Sequence, residues 1–132
     1  MAYTSLTVVT LRANVPAVAT GTTTETLIGS VPYRAVVTAV RFLPVTAITG
    51  ANTNTRRVEV WNRGQAGAGT QIVASKQFDS GVNAAALTDT PVPVLSQLVE
   101  TDDTVTFRSI AVGTGLADPG GVVEVDVALR AS

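Results

Sequence analysis

The chain has 132 residues, with nine basic and ten acidic side chains and neither cysteine nor histidine. The lack of cysteine excludes disulfides and thiolate chemistry, and the scattered arginines form no basic patch for nucleic acid or an anionic membrane. No apolar run approaches the roughly 20 residues that span a bilayer. Twenty-two valines and twenty threonines favour strands, and eleven glycines and six prolines supply turns. The composition therefore predicts an all-β protein.

The chain begins with a predicted strand over residues 4–12 that is apolar on both faces. Leu6 and Val8 share one face, and Val9 and Leu11 share the other. A terminal strand of this kind lies between two covering layers or pairs with a neighbouring chain. These four residues are therefore predicted partner contacts.

The next segment, residues 13–24, has small side chains and follows neither the strand nor the helix period. We predict a flexible arm there, since so few large apolar groups cannot offset the entropy cost of ordering it. Shorter strands follow, separated by turns. Their predicted positions are residues 25–31, 35–43, 56–61, 70–78, 90–95 and 97–100.

The last part of the chain, residues 103–130, is predicted to form a long antiparallel hairpin. Its second arm alternates, with Val123, Val125, Val127 and Leu129 on the apolar face. The loop between the arms has the turn chemistry of Asp-Pro-Gly at residues 118–120, where Gly120 or Gly121 is expected to need a positive φ. The whole chain, residues 1–132, is thus predicted to be one antiparallel β-sandwich, jelly-roll-like, with about eight strands.

Residues with catalytic chemistry are sparse. Lys76 follows Ser75, and a Ser-Lys dyad is conceivable, but neighbours in a strand point to opposite faces, which favours a solvated lysine. The acidic candidates in the predicted turns at 101–104 and 118–121 are expected to make local hydrogen bonds, although calcium would accept the same oxygens. We therefore predict a protein that is not an enzyme, with no cofactor and no metal site.

The sequence leaves the role of Trp61 undecided among three possibilities. It shares a strand face with Arg57 and Glu59. A buried core position, a contact with another protein and a sugar-stacking platform all fit a tryptophan in a sandwich. Arg57 and Trp61 join the predicted partner contacts.

Several segments together resemble a known group of proteins. They are Glu25-Thr-Leu-Ile-Gly-Ser-Val-Pro32, Arg57-Val-Glu-Val-Trp-Asn-Arg-Gly64, Gln71-Ile-Val-Ala-Ser-Lys-Gln-Phe-Asp-Ser-Gly81 and Gly113-Thr-Gly-Leu-Ala-Asp-Pro-Gly-Gly121. The order of these segments, followed by a Val-rich strand, is similar to small β-sandwich proteins encoded among the structural genes of tailed bacteriophages, especially those of actinobacteria. Members of that group are capsid decoration (cement) proteins or head fibres.

That resemblance implies a location and partners. The expected location is the outer surface of the virion capsid, where a homotrimer binds the major capsid protein and stabilises the shell. A tail or head-fibre adhesion protein, or a carbohydrate-binding module that uses Trp61, is the alternative. Neither nucleic acid nor membrane is an expected partner.

Overall fold

The computed structural model describes residues 8–130, which form nine strands in two antiparallel sheets packed face to face. The first sheet has the order β1-β9-β3, with short β6 and β7 both on the far side of β3; the second has the order β2-β8-β4-β5. The strands are β1 (Val8–Val15), β2 (Thr24–Ser30), β3 (Ala35–Pro44), β4 (Thr55–Gly64), β5 (Gln71–Gln77), β6 (Thr90–Pro91), β7 (Leu98–Val99), β8 (Thr104–Val112) and β9 (Gly121–Leu129). The predicted β-sandwich is confirmed.

The strand order is that of a jelly roll. The first strand pairs with the last, β2 with β8, β3 with β6 and β7, and β4 with β5. The chain therefore folds as one long hairpin that is rolled up until its paired strands alternate between two sheets. The jelly-roll-like prediction is also confirmed.

The predicted hairpin over residues 103–130 is wrong in its pairing. β8 lies in the second sheet and β9 in the first, so the glycine-rich loop between them crosses the sandwich. The predicted alternation is present for Val123, Val125 and Val127, which are fully buried, but it is wrong for Leu129, which is 48% exposed at the end of β9. A period of two shows which face of a strand is buried, but it does not identify the neighbouring strand.

The core lies between the sheets and consists mainly of valine. β-branched side chains suit this position because they pack well on a pleated surface with little loss of rotamer freedom. Phe42 of the first sheet and Phe107 of the second stack across the middle, with ring centroids 5.5 Å apart. This contact joins the two layers.

The turn chemistry of the crossing loop is as predicted. Gly120 has φ +80° and Gly121 has φ +155°. The Asp118 carboxylate accepts the Gly120 N–H at 2.8 Å. A Cβ on Gly120 would lie 2.8 Å from the Ala17 nitrogen, so the loop needs glycine for space as well as for φ.

Residues 13–24 are more regular than the sequence predicts. Ala13–Val15 complete β1, and buried Val18 forms a two-way backbone bridge with Asp118. The Val18 N–H donates to the Asp118 carbonyl at 2.8 Å, and the Asp118 N–H donates back at 2.9 Å. The anchoring groups come from distant parts of the chain, so the local composition of the segment does not reveal them.

Arg56 supplies further anchors for this end of the sandwich. Its side chain is fully buried at the start of β4. The guanidinium donates to backbone carbonyls of Ala19 at 3.1 Å, Thr22 at 2.7 Å and Leu116 at 2.8 Å. One buried side chain thus ties the β1–β2 connection to the loop between β8 and β9.

The two lateral sides of the sandwich differ. On one, residues 90–99 weave between the sheets: the Val92 N–H donates to Val40 of β3 at 2.9 Å, and the Leu95 N–H to Val73 of β5 at 2.7 Å. On the opposite side β1 and β2 are the outermost strands, and within residues 8–130 no other strand pairs with their outer edges. We call this the open side.

Candidate partner-contact surfaces

An apolar row crosses the outer face of the first sheet. Val8, Ala128, Val36 and Leu98 are directly opposed on β1, β9, β3 and β7. The neighbouring Val127 points into the core, so Ala128 and its opposed partners point outward. Val8 and Leu98, at the two ends of the row, are 55% and 54% exposed. Ala128 is only 4% exposed and Val36 is half-buried, so the exposed apolar surface of the row lies at its two ends.

A network of charges lies beside this apolar row. Arg41 bonds Asp126 at 2.6 Å and Glu124 at 3.1 Å, and Arg12 bonds Glu124 through Nε at 2.6 Å. Thr10 donates to Asp126 at 2.7 Å. The hydrogen bond from Arg12 lowers the pKa of Glu124 more than any other contact, and that from Arg41 does the same for the pKa of Asp126. Both carboxylates are therefore held ionised as acceptors of arginine hydrogen bonds.

The outer face of the second sheet is organised around Trp61. The guanidinium carbons of Arg63 and Arg108 lie 4.7 Å and 4.5 Å from the centre of its ring. The indole N–H donates to Glu59 at 2.8 Å, and Arg57 lies 3.2 Å from the same carboxylate. We call this group, together with Glu25 and Thr106 of the neighbouring strands, the Trp61 surface.

Glu25 of β2 completes that surface. Arg63 binds its carboxylate with two hydrogen bonds, of 2.7 Å and 2.6 Å, and Thr106 donates a third. The hydrogen bond from Arg63 is the main reason that the pKa of Glu25 falls to about 2. Arg108 Nε lies 3.8 Å from the same carboxylate and has no hydrogen-bond acceptor among the described residues. That nitrogen is buried, but the Arg108 side chain as a whole is 26% exposed, so a partner can reach part of it.

The position of Trp61 in the structure distinguishes among a core position, a protein contact and a sugar platform. The side chain is half-buried on an outer face and is not part of the core. Guanidinium groups already stack on its ring, whereas a sugar platform needs an open ring face. Trp and Arg in contact are the side chains that contribute most at protein interfaces. The geometry thus favours the protein-contact interpretation.

The predicted partner contacts fall on separate parts of the molecule. Val8 points outward, whereas Val9 and Leu11 point inward and pack against the core, half-buried. Arg57 and Trp61 lie on the opposite outer face, in the Trp61 surface. Leu6 lies outside the described residues.

The open side combines residues that the sequence predicted with others that it missed. Leu11 of β1 faces β2, since a Cβ on Gly29 would lie 3.9 Å from Leu11 Cδ2. Ile28 of β2 packs against the same core. Leu27 is 64% exposed and the Arg12 side chain is 66% exposed. The sequence does not show that these residues lie together on the open side. The pairing of β1 with β9 and of β2 with β8 places them there.

The two candidate calcium turns contain structural carboxylates. Buried Asp103 accepts hydrogen bonds from Asn62 at 2.9 Å and from the Glu100 N–H at 2.8 Å. Buried Asp118 accepts one from Ser109 at 2.6 Å. Across residues 8–130, the acidic side chains nowhere form a group of three that could hold a metal ion.

Comparison with known proteins gives no match: no family model, no curated protein and no solved structure is similar to this chain. The described part of the chain also contains no helix with the length and apolar character needed to cross a membrane.

Proposed function

We propose that this protein is a bacteriophage capsid decoration protein. It binds the major capsid protein on the outer surface of the head, assembles as a homotrimer and stabilises the shell. The resemblance of its strand and turn segments to phage structural proteins supports this proposal. The jelly roll is compatible with it, because viral capsid domains use this architecture, as do lectins. A fold alone does not decide function, so the argument depends on the surfaces.

The Trp61 surface is the observation on which the proposal depends most. Tryptophan and arginine are enriched in the residues that contribute most to binding between proteins. Here the ion pairs and stacking contacts hold the side chains in fixed positions, so binding costs little side-chain entropy. The surface is rigid enough to bind many equivalent sites.

The charge of this surface indicates the chemistry of its partner. Arg57, Arg63 and Arg108 face Glu25 and Glu59, so three positive charges meet two negative ones. Arg108 makes the loosest contact, because its Nε is 3.8 Å from Glu25. Because this surface has one more positive than negative charge, we expect the partner patch to be acidic.

The test is binding to capsid shells that lack this chain. We expect wild-type protein to sediment with the shells and to raise the temperature at which they disrupt. Trp61→Ala and Arg108→Ala are expected to weaken attachment at least about tenfold, the effect typical of central interface residues. Arg34→Ala is the matched control, because Arg34 forms an ion pair with Glu100 away from this surface.

Each result has a clear meaning. No binding by wild-type protein would overturn the proposed function. Binding by Trp61→Ala and Arg108→Ala that equals wild type, with melting temperatures unchanged, would overturn the assignment of this surface as the contact. Weakened binding by the control as well would show that the variants act through general electrostatics.

A further inference from the structure

We propose that the open side joins copies of this chain into a closed ring. In the ring, β1 of one copy pairs antiparallel with β2 of the next copy. The first sheet of each copy then continues into the second sheet of its neighbour. This inference depends on the proposed function only for the number of copies, which we expect to be three.

β1 is an edge strand that lacks the usual protection against pairing. It pairs with β9 over eight consecutive residues without a bulge. It contains neither proline nor lysine, and such a regular edge is a template for another strand. The opposite side of the sandwich shows the contrast, since residues 90–99 cover the edges of β3 and β5 there. The open side is therefore the part of the fold suited to strand addition.

The position of the two free edges decides between a ring and a filament. β1 and β2 pack against each other on the same side of the sandwich, as the approach of Gly29 to Leu11 shows. Head-to-tail contacts build filaments when the two contact surfaces lie on opposite sides of a subunit. When both lie on one side, each contact turns the next copy back towards the first. A ring of few copies is the result.

The side chains of the two edges match each other in one register. When Val8 lies opposite Leu27 of the next copy, Thr10 lies opposite Glu25. The exposed apolar residues, at 55% and 64%, then cover each other. Arg12, with its side chain 66% exposed, comes diagonal to Glu25, within reach of a long side chain. The apolar pair is the main contribution to this register, because Arg12 and Glu25 already pair with Glu124 and Arg63 within their own copies.

A symmetric pairing of β1 with β1 of a second copy satisfies fewer groups. It would leave the edge of β2 and the exposed Leu27 without a partner. It would also bring Arg12 of each copy to a strand that has no acidic residue. The contact between unlike edges is therefore the one that the side chains favour.

Cysteine cross-linking tests the contact directly, because the chain has no cysteine of its own. Opposed residues in an antiparallel pair have Cα atoms about 4.5–5.5 Å apart, which suits a disulfide. Oxidised Val8→Cys/Leu27→Cys protein should run as covalent dimers and trimers on a non-reducing gel, with no larger species. The two positions point from opposite faces of one copy, so they cannot cross-link within it.

The single variants are the matched controls. Val8→Cys alone and Leu27→Cys alone should each remain monomeric on the gel. Covalent dimers of Val8→Cys alone would instead indicate β1–β1 pairing and would overturn the ring. A double variant that stays monomeric on the gel, or a ladder that continues far beyond three, would also overturn it.

Charged substitutions provide a second test that needs no oxidation. Val8→Glu should disable only β1 and Leu27→Glu only β2, so each variant alone should be monomeric by light scattering. Their mixture should form a one-to-one dimer, because one intact β1 can still pair with one intact β2. Leu95→Glu, at a residue 65% exposed on the covered side, should stay oligomeric. A Leu27→Glu variant that associates like wild type would contradict the proposal.

The two proposals fail separately. Rings that do not bind shells would overturn the proposed function and leave the ring intact. Shell binding by a protein that never cross-links between positions 8 and 27 would overturn the ring alone.

Discussion

Replacement of the buried Arg56 by methionine should strongly destabilise the protein. Methionine fills most of the volume of the side chain but donates no hydrogen bonds. The carbonyls of Ala19, Thr22 and Leu116 would lose their donor. Ser109, which accepts from Arg56 at 3.4 Å and donates to Asp118 at 2.6 Å, would lose its link to the positive charge. Asp118, 2% exposed, would then be a buried charge without a cation.

The magnitude follows from the cost of leaving a buried charge uncompensated and the Arg56 acceptors without a donor, about 3–5 kcal/mol. An unfolding entropy of about 2.1 cal/mol/K per residue, applied to the 132 residues, converts this to a fall of about 11–18 °C in melting temperature. Urea unfolding followed by circular dichroism measures the free-energy loss. The matched control is Arg34→Met, at a side chain 46% exposed, which should cost less than about 0.5 kcal/mol.

A loss below about 1 kcal/mol for Arg56→Met would refute the role of Arg56 as an anchor. The double variant Arg56→Met/Asp118→Asn adds a sharper check. Because the second change removes the stranded charge, the combined loss should be smaller than the sum of the two single losses. Additive losses would mean that the two charges do not interact.

Three further outcomes are expected. Gly120→Val should lower the free energy of unfolding by about 1 kcal/mol or more, because φ is +80° and the backbone of Pro16 and Ala17 is too close for a Cβ. A melting curve equal to that of the wild type would refute this prediction. The pKa of Glu25 is lowered to about 2, so its ionised form stabilises the fold above its ordinary pKa near 4.5, and this contribution is lost as pH falls towards 2. The difference in unfolding free energy between wild type and Glu25→Gln should therefore shrink from pH 5 to pH 2, and a constant difference would contradict it. In hydrogen exchange of the free protein, the Val18 amide should be protected by its bond to Asp118, and exchange as fast as in an unfolded peptide would show that residues 13–24 are the flexible arm that the sequence predicts.

Much of the fold was predictable because strand patterns are local. The alternation of Val123, Val125 and Val127 identified the buried face of β9, and Pro91 and Pro93 correctly marked an edge segment. The pairing of β8 and β9 was not predictable in this way. In a jelly roll the partners are distant in sequence, and the choice among partners depends on the packing of the whole sandwich.

The candidate surfaces, like the fold, could be predicted only where residues of a single strand are involved. Arg57 and Trp61 were identified because alternate residues of one strand share a face. Arg63 of that strand also belongs to the face, but Glu25 and Arg108 come from other strands, and only the register brings them to Trp61. Val9 and Leu11 were predicted as partner contacts because an apolar terminal strand has no visible cover in the sequence. In the fold, β2 and the core provide part of that cover.

The central claim, that the protein decorates a capsid, is tested most directly by imaging. Shells assembled from the major capsid protein of the same phage, without this chain, would be incubated with purified protein and mapped by electron cryomicroscopy. The account predicts extra density on the outer surface, as groups of three sandwiches. A map that matches the untreated shell, at protein concentrations that exceed the number of surface sites, would contradict it.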